Sequence, residues 1–226
     1  MDGARPVGGQ GGARPETLRE RKKAQTRRDL VVHALESFTL HGADAVTLDD
    51  LCLQVGVSKR TFFRYFTSKE DAAMTPLQDL WREFLRRLDS EPQSRDADAT
   101  VLSVLRDTLV ASIRECAARD ANWTRLTLLA LGLDAVHPSF AAHNLRFCDE
   151  AVQAALSTLA PVLGISDADD PRPRLLLDLF LVASRDAQRV WMRRPEDGDS
   201  AESLVLLLNR TVAALPASLE LKAPQD

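Results

Sequence analysis

Apolar residues recur along this chain at spacings of three and four, which is the period of an α-helix that buries one face. Two early segments show the full i, i+3, i+4, i+7 set: Val31, Ala34, Leu35 and Phe38, and then Leu48, Leu51, Cys52 and Val55. The period-two alternation that is typical of strands is sustained nowhere in the sequence. The pattern therefore predicts an all-α fold of about nine helices.

Turn and cap residues divide the first part of this pattern into one long helix and several short ones. Gly42 and Gly56 stand where left-handed residues end the first and second helices. Thr47, Ser58 and Ser68 can each cap the helix that follows them. The third helix is confined between the last two caps, so it must be brief. Two short helices joined by a turn and braced by a longer helix indicate a helix-turn-helix unit.

The first 15 residues contain seven glycines and prolines and almost no apolar side chain. Such a segment cannot bury enough apolar surface to offset the entropy of ordering it. We therefore expect residues 1–18 to form a disordered tail.

The charges of the chain are unevenly distributed, although its formal net charge is only −4. Residues 1–70 carry 12 Lys or Arg and 9 Asp or Glu, a formal +3, whereas residues 71–226 carry 17 and 24, a formal −7. A basic segment attached to an acidic body indicates that the segment, and not the body, meets an anionic partner.

The segment V-S-K-R-T-F-F-R-Y-F mixes four aromatic rings with three cations in ten residues. Phe62 and Phe66 are i, i+4 neighbours, so we expect both rings to pack inward and hold the third helix. Lys59, Arg60 and Arg64 then face outward, where an arginine can donate two N–H groups to guanine in a DNA major groove. A buried aromatic helix with incidental surface charge is the alternative interpretation.

The run T-L-D-D-L-C-L-Q-V-G-V-S-K-R-T-F-F-R-Y-F-T-S-K-E-D-A resembles the DNA-binding signature of the TetR/AcrR family of bacterial transcriptional regulators. The resemblance extends from about Arg28 to Ala72. It implies a homodimer whose recognition helices enter successive major grooves of a near-palindromic operator on double-stranded DNA. With the basic start of the first helix, the expected DNA contacts are Arg28, Thr47, Ser58, Lys59, Arg60, Thr61, Phe63, Arg64, Tyr65 and Lys69.

Two of these positions depart from the usual family pattern. Many members carry a small residue at the position of Arg60 and a tyrosine at that of Phe63. Phe63 therefore lacks a hydroxyl for a phosphate, and Arg60 adds a charge that can read guanine.

The last two helices are apolar on more than one face, which is typical of a subunit interface. The family resemblance agrees, because it implies that this pair forms a four-helix bundle with its twofold mate. The residues we assign to the interface are Leu176, Leu179, Phe180, Ala183, Leu204, Leu207, Leu208 and Thr211.

The resemblance also implies an effector cavity between the middle helices. The candidate lining residues are Trp81, Phe84, Trp123, Leu128, Phe140, His143, Phe147 and Trp191. Ordinary core packing is the alternative for each of them. A mainly apolar lining with a few polar groups, such as Asn144 and Arg185, favours a small apolar or aromatic effector.

Catalytic and metal-binding patterns are poorly supported. The four histidines and three cysteines show no zinc-ligand spacing, and neither a G-x-S-x-G motif nor a glycine-rich phosphate loop is present. No apolar run approaches the roughly 18 residues of a membrane span, and no secretory signal is recognisable. We expect a cytoplasmic protein that is not an enzyme and uses no cofactor, metal or membrane.

These observations divide the chain into the tail, a helix-turn-helix DNA-binding domain over residues 19–67, and a helical effector-binding and dimerisation domain over residues 68–222. The favoured function is a homodimeric repressor that a small-molecule effector releases from its operator. One alternative is a DNA-binding regulator without a ligand, either constitutive or activating. The other is a helical small-molecule carrier or enzyme with an incidental helix-turn-helix.

Overall fold

The computed structural model describes residues 17–90, 99–163, 167, 169–193 and 200–222. Over these ranges the chain forms helices without any strand, which confirms the all-α prediction. The helices are α1 (Leu18–His41), α2 (Leu48–Val55), α3 (Lys59–Phe62), α4 (Lys69–Ser90), α5 (Val101–Arg119), α6 (Trp123–Val136), α7 (Pro138–Val162), α8 (Arg172–Met192) and α9 (Ala201–Ser218).

The predicted tail extends too far at its C-terminal end. Residues 1–16 lie outside the described residues, but Leu18 already belongs to α1. The helix begins there because Thr17 and Glu20 cap it reciprocally. The Glu20 backbone N–H donates to Thr17 Oγ1 at 3.2 Å, and the Glu20 carboxylate accepts from the Thr17 backbone N–H at 2.8 Å.

The helix-turn-helix begins and ends at the residues that the sequence indicates. Thr47 and Asp50 form a second capping box at the start of α2. Gly56 ends α2 in the left-handed conformation, with φ of 70°. Helix α3 is brief, as expected, and stops at Phe62 because the chain tightens into a turn in which the Tyr65 backbone N–H donates to the Phe62 carbonyl at 2.8 Å.

The two inward-facing rings of the opening segment lie in the core as predicted. The ring centroids of Phe62 and Phe66 are 5.3 Å apart, and both side chains are buried. They join a hydrophobic cluster with Leu35, Phe38 and Leu51 from α1 and α2. Burying a phenylalanine contributes about 1.5–3 kcal/mol, so these two rings fix the pose of a helix too short to be stable alone.

Helix α4 connects the helix-turn-helix to the rest of the molecule. It packs against α1 on one side and against α5, α6 and α7 on the others, while α8 packs on α9. Helix α4 therefore contacts both α1 of the helix-turn-helix unit and three helices of the body.

Half of the residues assigned to a subunit interface are buried inside the protomer, with 1–2% exposure: Phe180, Ala183, Leu204 and Leu208. They belong to the hydrophobic core of one chain, where Phe180 stacks on Phe84 of α4 with ring centroids 6.0 Å apart, so they offer almost no surface to a second subunit. Leu176, Leu179, Leu207 and Thr211 are half-buried.

The outward apolar residues of this helix pair are Leu175 and Val182 on α8 and Leu206 on α9, which are 57%, 59% and 70% exposed. The apolar surface available for a second subunit is therefore centred on these three residues.

Candidate nucleic-acid interface

Helix α3 and the turn after it present cations and one aromatic ring to solvent. Lys59, Arg60, Phe63 and Arg64 are all exposed. The Phe63 ring is 55% exposed and rests edge-on against Phe62, with centroids 5.6 Å apart. This arrangement separates the inward rings from the outward charges as the helical phase predicts.

The three outward cations differ in their interactions with other side chains of the protein. Lys59 forms a salt bridge of 2.8 Å with Asp49 on α2. The Arg64 guanidinium lies 5.2 Å from the centre of the Tyr65 ring and donates to its hydroxyl at 3.3 Å. Arg60 has no salt bridge or side-chain hydrogen bond to any residue that the structure describes, so its guanidinium is free to engage a base.

A second basic surface lies beside α3 and comes from the start of α1. Arg19, Lys22, Lys23 and Thr26 occupy positions i, i+3, i+4 and i+7, so they share one helix face. With Val57, Thr61, Arg64 and Tyr65 they line a cleft of about 390 Å³. We call this surface the basic cleft.

The chemistry of the basic cleft suits a phosphate backbone. Four cations face a groove that also carries hydroxyl donors, and lysine and arginine supply most phosphate contacts in protein–DNA complexes. Among the described residues, Arg19, Lys22 and Lys23 form no salt bridge. Sequence reasoning expected at least part of the basic stretch from Arg19 to Arg28 to contact DNA and named Arg28 within it, and the structure places Arg19, Lys22 and Lys23 in the cleft.

The remaining predicted contacts are placed as follows. Arg28 is exposed on α1 and has no salt bridge to a described residue. The hydroxyls of Thr47 and Ser58 serve as caps: Thr47 Oγ1 donates to Asp50 at 2.6 Å, and Ser58 Oγ lies 3.0 Å from Thr61 Oγ1. The free N–H groups at these helix starts remain available to phosphates.

Lys69 has an intramolecular partner at the start of α4. Its ammonium donates to the Ala43 carbonyl at 2.6 Å and lies 5.7 Å from the centre of the Phe38 ring. The side chain thus ties α4 to the loop before α2. An ammonium has three donors, so phosphate contact by Lys69 stays a prediction.

Comparison with known proteins decides the family. Residues 30–71 match the family described as bacterial regulatory proteins, tetR family. The chain is 30% identical over 179 residues to the HTH-type transcriptional regulator TcmR of Streptomyces glaucescens, covering 79% of this chain and 78% of TcmR. The chain belongs to the TetR family.

Solved structures support the fold of this TetR-family protein. SmeT, solved as a complex with triclosan, has a TM-score of 0.54 at 20% identity, covering 84% of this chain and 91% of SmeT. A structure described as a TetR-family regulator of Syntrophomonas wolfei has a TM-score of 0.54 at 14% identity, covering 86% and 96%. With the family established, the protein is a DNA-binding transcriptional regulator.

In this TetR-family regulator a buried polar network links the turn after α3 to α7. One oxygen of Asp71 accepts from the Thr67 backbone N–H at 2.8 Å. The other accepts from Gln78 at 3.1 Å and lies 3.4 Å from His143 Nε2 on α7. Burial would raise the pKa of the Asp71 carboxyl, but the hydrogen bonds from Thr67 and Gln78 outweigh it and hold the pKa below its ordinary value.

The predicted effector-lining residues are not gathered around one cavity. Trp81 and Phe84 pack together with centroids 5.4 Å apart, in a site between α4, α7 and α8 that holds a void of only about 10 Å³. That is room for a single water and not for an organic molecule. The two rings therefore act as core, which was the alternative interpretation.

The other six candidates are dispersed through the body of the regulator. Phe140 packs on Phe38 of α1 at 5.6 Å, and Trp123 Nε1 donates to the Pro76 carbonyl at 3.3 Å. His143 belongs to the Asp71 network, and Phe147 lies 5.2 Å below the Arg82 guanidinium. Leu128 is half-buried, and Trp191 is buried with an indole N–H that no described residue accepts.

Cys52, Cys116 and Cys148 are buried free thiols. Within the described ranges, no group of His, Cys, Asp or Glu is arranged to hold a metal ion, and no helix combines the length and hydropathy that a membrane crossing requires.

Proposed function

We propose that this regulator binds a near-palindromic operator as a homodimer and leaves it when a small molecule binds the body. The observation that carries the proposal is the position of the basic cleft. It places cations from α1 directly beside the outward residues of α3. One helix can therefore read base edges while the other follows the adjacent backbone.

The base-reading part of the proposal rests on α3. Arg60 is exposed and unpaired among the described residues, and a free guanidinium can donate bidentately to guanine O6 and N7. The exposed edge of Phe63 can contact a thymine methyl group. Lys59, Thr61 and Arg64 then meet flanking bases or phosphates.

The proposal of a homodimer is based on the outward faces of α8 and α9. Leu175, Val182 and Leu206 are large apolar side chains held open to water on two packed helices. Large exposed apolar side chains on a packed helix pair favour a binding partner, and a second copy of the same pair gives a closed twofold assembly.

The proposal that an effector releases the protein from DNA is based on α4 and on the hydrogen-bond network around Asp71. A ligand that shifts α7 against α4 acts directly on His143, Gln78 and Asp71. Because Asp71 also holds Thr67, the shift reaches the turn that follows α3. Effector binding and operator affinity are then linked reciprocally.

The assembly is tested by measuring the mass of the protein alone and in complex with a duplex recovered by selection. We expect two protomers in both states. Leu206→Asp should convert the free protein to monomers, whereas Leu145→Asp, at an exposed leucine on α7, should leave it dimeric. A wild-type protein that binds its duplex as a monomer would overturn the homodimer.

Replacing Arg60 by alanine is expected to relax preference at one base position of each half-site. The loss of a bidentate contact to guanine corresponds to roughly 1–3 kcal/mol of discrimination. Selection from random duplexes with both proteins measures it. Recovery of identical motifs would remove Arg60 from the base-reading residues.

Replacing Lys69 by alanine is expected to reduce the salt dependence of operator binding by about 0.9 in log–log slope, the value for one phosphate contact. Titrations of both proteins across a salt series measure the slope. If Lys69→Ala lowers the affinity for the operator but leaves the salt slope unchanged, Lys69 makes no phosphate contact. Its role would then be the hydrogen bond to the Ala43 carbonyl.

A further inference from the structure

A second cleft, of about 340 Å³, opens between α6, α7 and α8. It lies apart from the filled site around Trp81 and Phe84. Its apolar walls come from Leu131 on α6 and from Val182 and Met192 on α8. The volume is at the lower end of the range for small-molecule sites, which suits a ligand of two or three rings.

The cleft contains a buried polar side chain with no partner. Gln188 is 8% exposed and lines the cleft, and no residue that the structure describes bonds its amide. The Gln188 amide is not among the side-chain atoms that are fully buried without a partner, so it keeps contact with solvent. An amide that faces the cleft and has no partner among the described residues can bond a polar atom of a ligand.

The cleft also contains an uncompensated positive charge. Arg185 is half-buried, lines the cleft and forms no salt bridge or hydrogen bond with a described residue. Arg189 lines the same cleft, but it is bonded to Asp186 at 3.0 Å. The guanidinium of Arg185 is therefore the group that an anion would meet.

The opposite wall supplies an acceptor. One oxygen of Asp134 accepts from Asn144 at 2.9 Å, which leaves its other oxygen open to the cleft. The Asp134 carboxylate repels an anionic group of a ligand that lies close to it, and it attracts a hydroxyl group that can donate a hydrogen bond. The ligand should thus carry its acid group and its hydroxyl at different positions.

We propose that this cleft binds a small hydroxylated organic acid, with the acid group on Arg185, a polar atom on Gln188, a hydroxyl on Asp134 and a ring body against Leu131 and Met192. The assignment rests on the proposed function, since the acid would be the effector. It departs from a purely apolar effector because polar and charged side chains line this cleft.

The test uses 6-hydroxy-2-naphthoate as the probe, with its neutral amide and with 2-naphthoate, which lacks only the hydroxyl. Calorimetric titration of the full chain should show one hydroxynaphthoate per protomer and binding of the amide at least about tenfold weaker, because a charge-assisted pair is lost. Arg185→Gln should weaken binding of the acid by a similar factor and leave binding of the amide unchanged. Asp134→Asn should weaken binding of the hydroxynaphthoate more than binding of 2-naphthoate.

Two further variants test whether the named side chains of the cleft, and not its overall charge, determine the affinity for the probe. Arg189→Gln, within the same cleft, should change the affinity by less than about threefold because its guanidinium is exposed and already paired. Gln188→Met should weaken binding of the probe, because it removes an amide that can bond a polar atom of the ligand. Equal binding of acid and amide, no binding of either, or no effect of Arg185→Gln would overturn the site.

Operator titrations on the same proteins distinguish this inference from the regulator itself. Arg185→Gln should bind the operator like the wild type but resist release by hydroxynaphthoate. Failure of the wild type to bind any duplex would contradict the proposed function and leave the cleft standing. Acid binding through Arg185 without release of DNA would contradict only the effector role.

Discussion

Replacing Arg19, Lys22 and Lys23 together by glutamine is expected to weaken operator binding about a hundredfold at 0.1 M salt. These cations line the basic cleft beside α3 and have no salt-bridge partner among the described residues. Each phosphate contact contributes about 0.9 to the log–log salt slope, so three contacts contribute about 2.7. Fluorescence anisotropy with a labelled duplex, from 0.1 M to 0.5 M salt, measures both quantities.

The matched control removes three exposed cations from the body, at Arg146, Arg193 and Arg210. This control variant changes the net charge of the protein by the same amount but alters no proposed DNA-binding surface. Its log–log salt slope should therefore equal that of the wild type within experimental error. If both triple variants lower the affinity alike, long-range charge and not the basic cleft accounts for the effect.

Replacing Glu83 by glutamine is expected to lower the free energy of unfolding by about 2–3 kcal/mol at neutral pH. The Glu83 side chain is 4% exposed on α4 and bonds Arg86 at 2.6 Å, Arg87 at 2.8 Å and Arg119 of α5 at 3.3 Å. The hydrogen bond from Arg86, assisted by those from Arg119 and Arg87 and opposed by burial, lowers the pKa of this carboxyl to about 2. Each unit of such a shift corresponds to about 1.4 kcal/mol, and the exposure of Arg86 and Arg119 reduces the total.

The stabilisation by Glu83 should depend on pH in a definite direction. The folded-state pKa of Glu83 lies below its ordinary value of 4.5, so the stabilisation is fully present above that value and is lost as the pH falls toward 2. Urea unfolding of wild type and Glu83→Gln at a fixed protomer concentration should show a gap that is constant from pH 7 to 5 and shrinks below pH 4.5.

Glu115→Gln is the control for the stability measurement. Glu115 is 41% exposed and meets the same arginines only at the surface, so its loss should cost no more than about 1 kcal/mol. Equal destabilisation by the two variants, or a gap for Glu83→Gln that is undiminished at pH 3, would show that the buried carboxylate is not the source.

The helix-turn-helix was predictable because its determinants are local. Caps at Thr47 and Ser58, a left-handed Gly56 and the i, i+4 pair of Phe62 and Phe66 each fix a feature within a few residues of themselves. Such signals do not depend on the rest of the fold.

The body was harder to predict because apolar composition does not reveal where space remains. Trp81 and Phe84 have the residue types of a ligand site, but the packing of α4, α7 and α8 leaves almost no void beside them. The open cleft is instead marked by Arg185 and Gln188, whose lack of partners becomes visible only when α6, α7 and α8 are assembled.

The same limit applies to the last two helices, which are apolar on more than one face. The sequence does not determine which face turns inward. Packing within the chain buries Phe180 and Ala183 and leaves Leu175 and Val182 outside. Residues of equal hydropathy therefore divide between the core and the proposed interface.

Selection from a library of random duplexes with the purified full chain tests the central claim most directly. If α3 of two twofold-related protomers reads successive major grooves, the recovered sequences converge on an inverted repeat whose half-sites are about one helical turn, or a small multiple of it, apart. Recovery of a single unpaired half-site, or of no enriched sequence, would contradict the account.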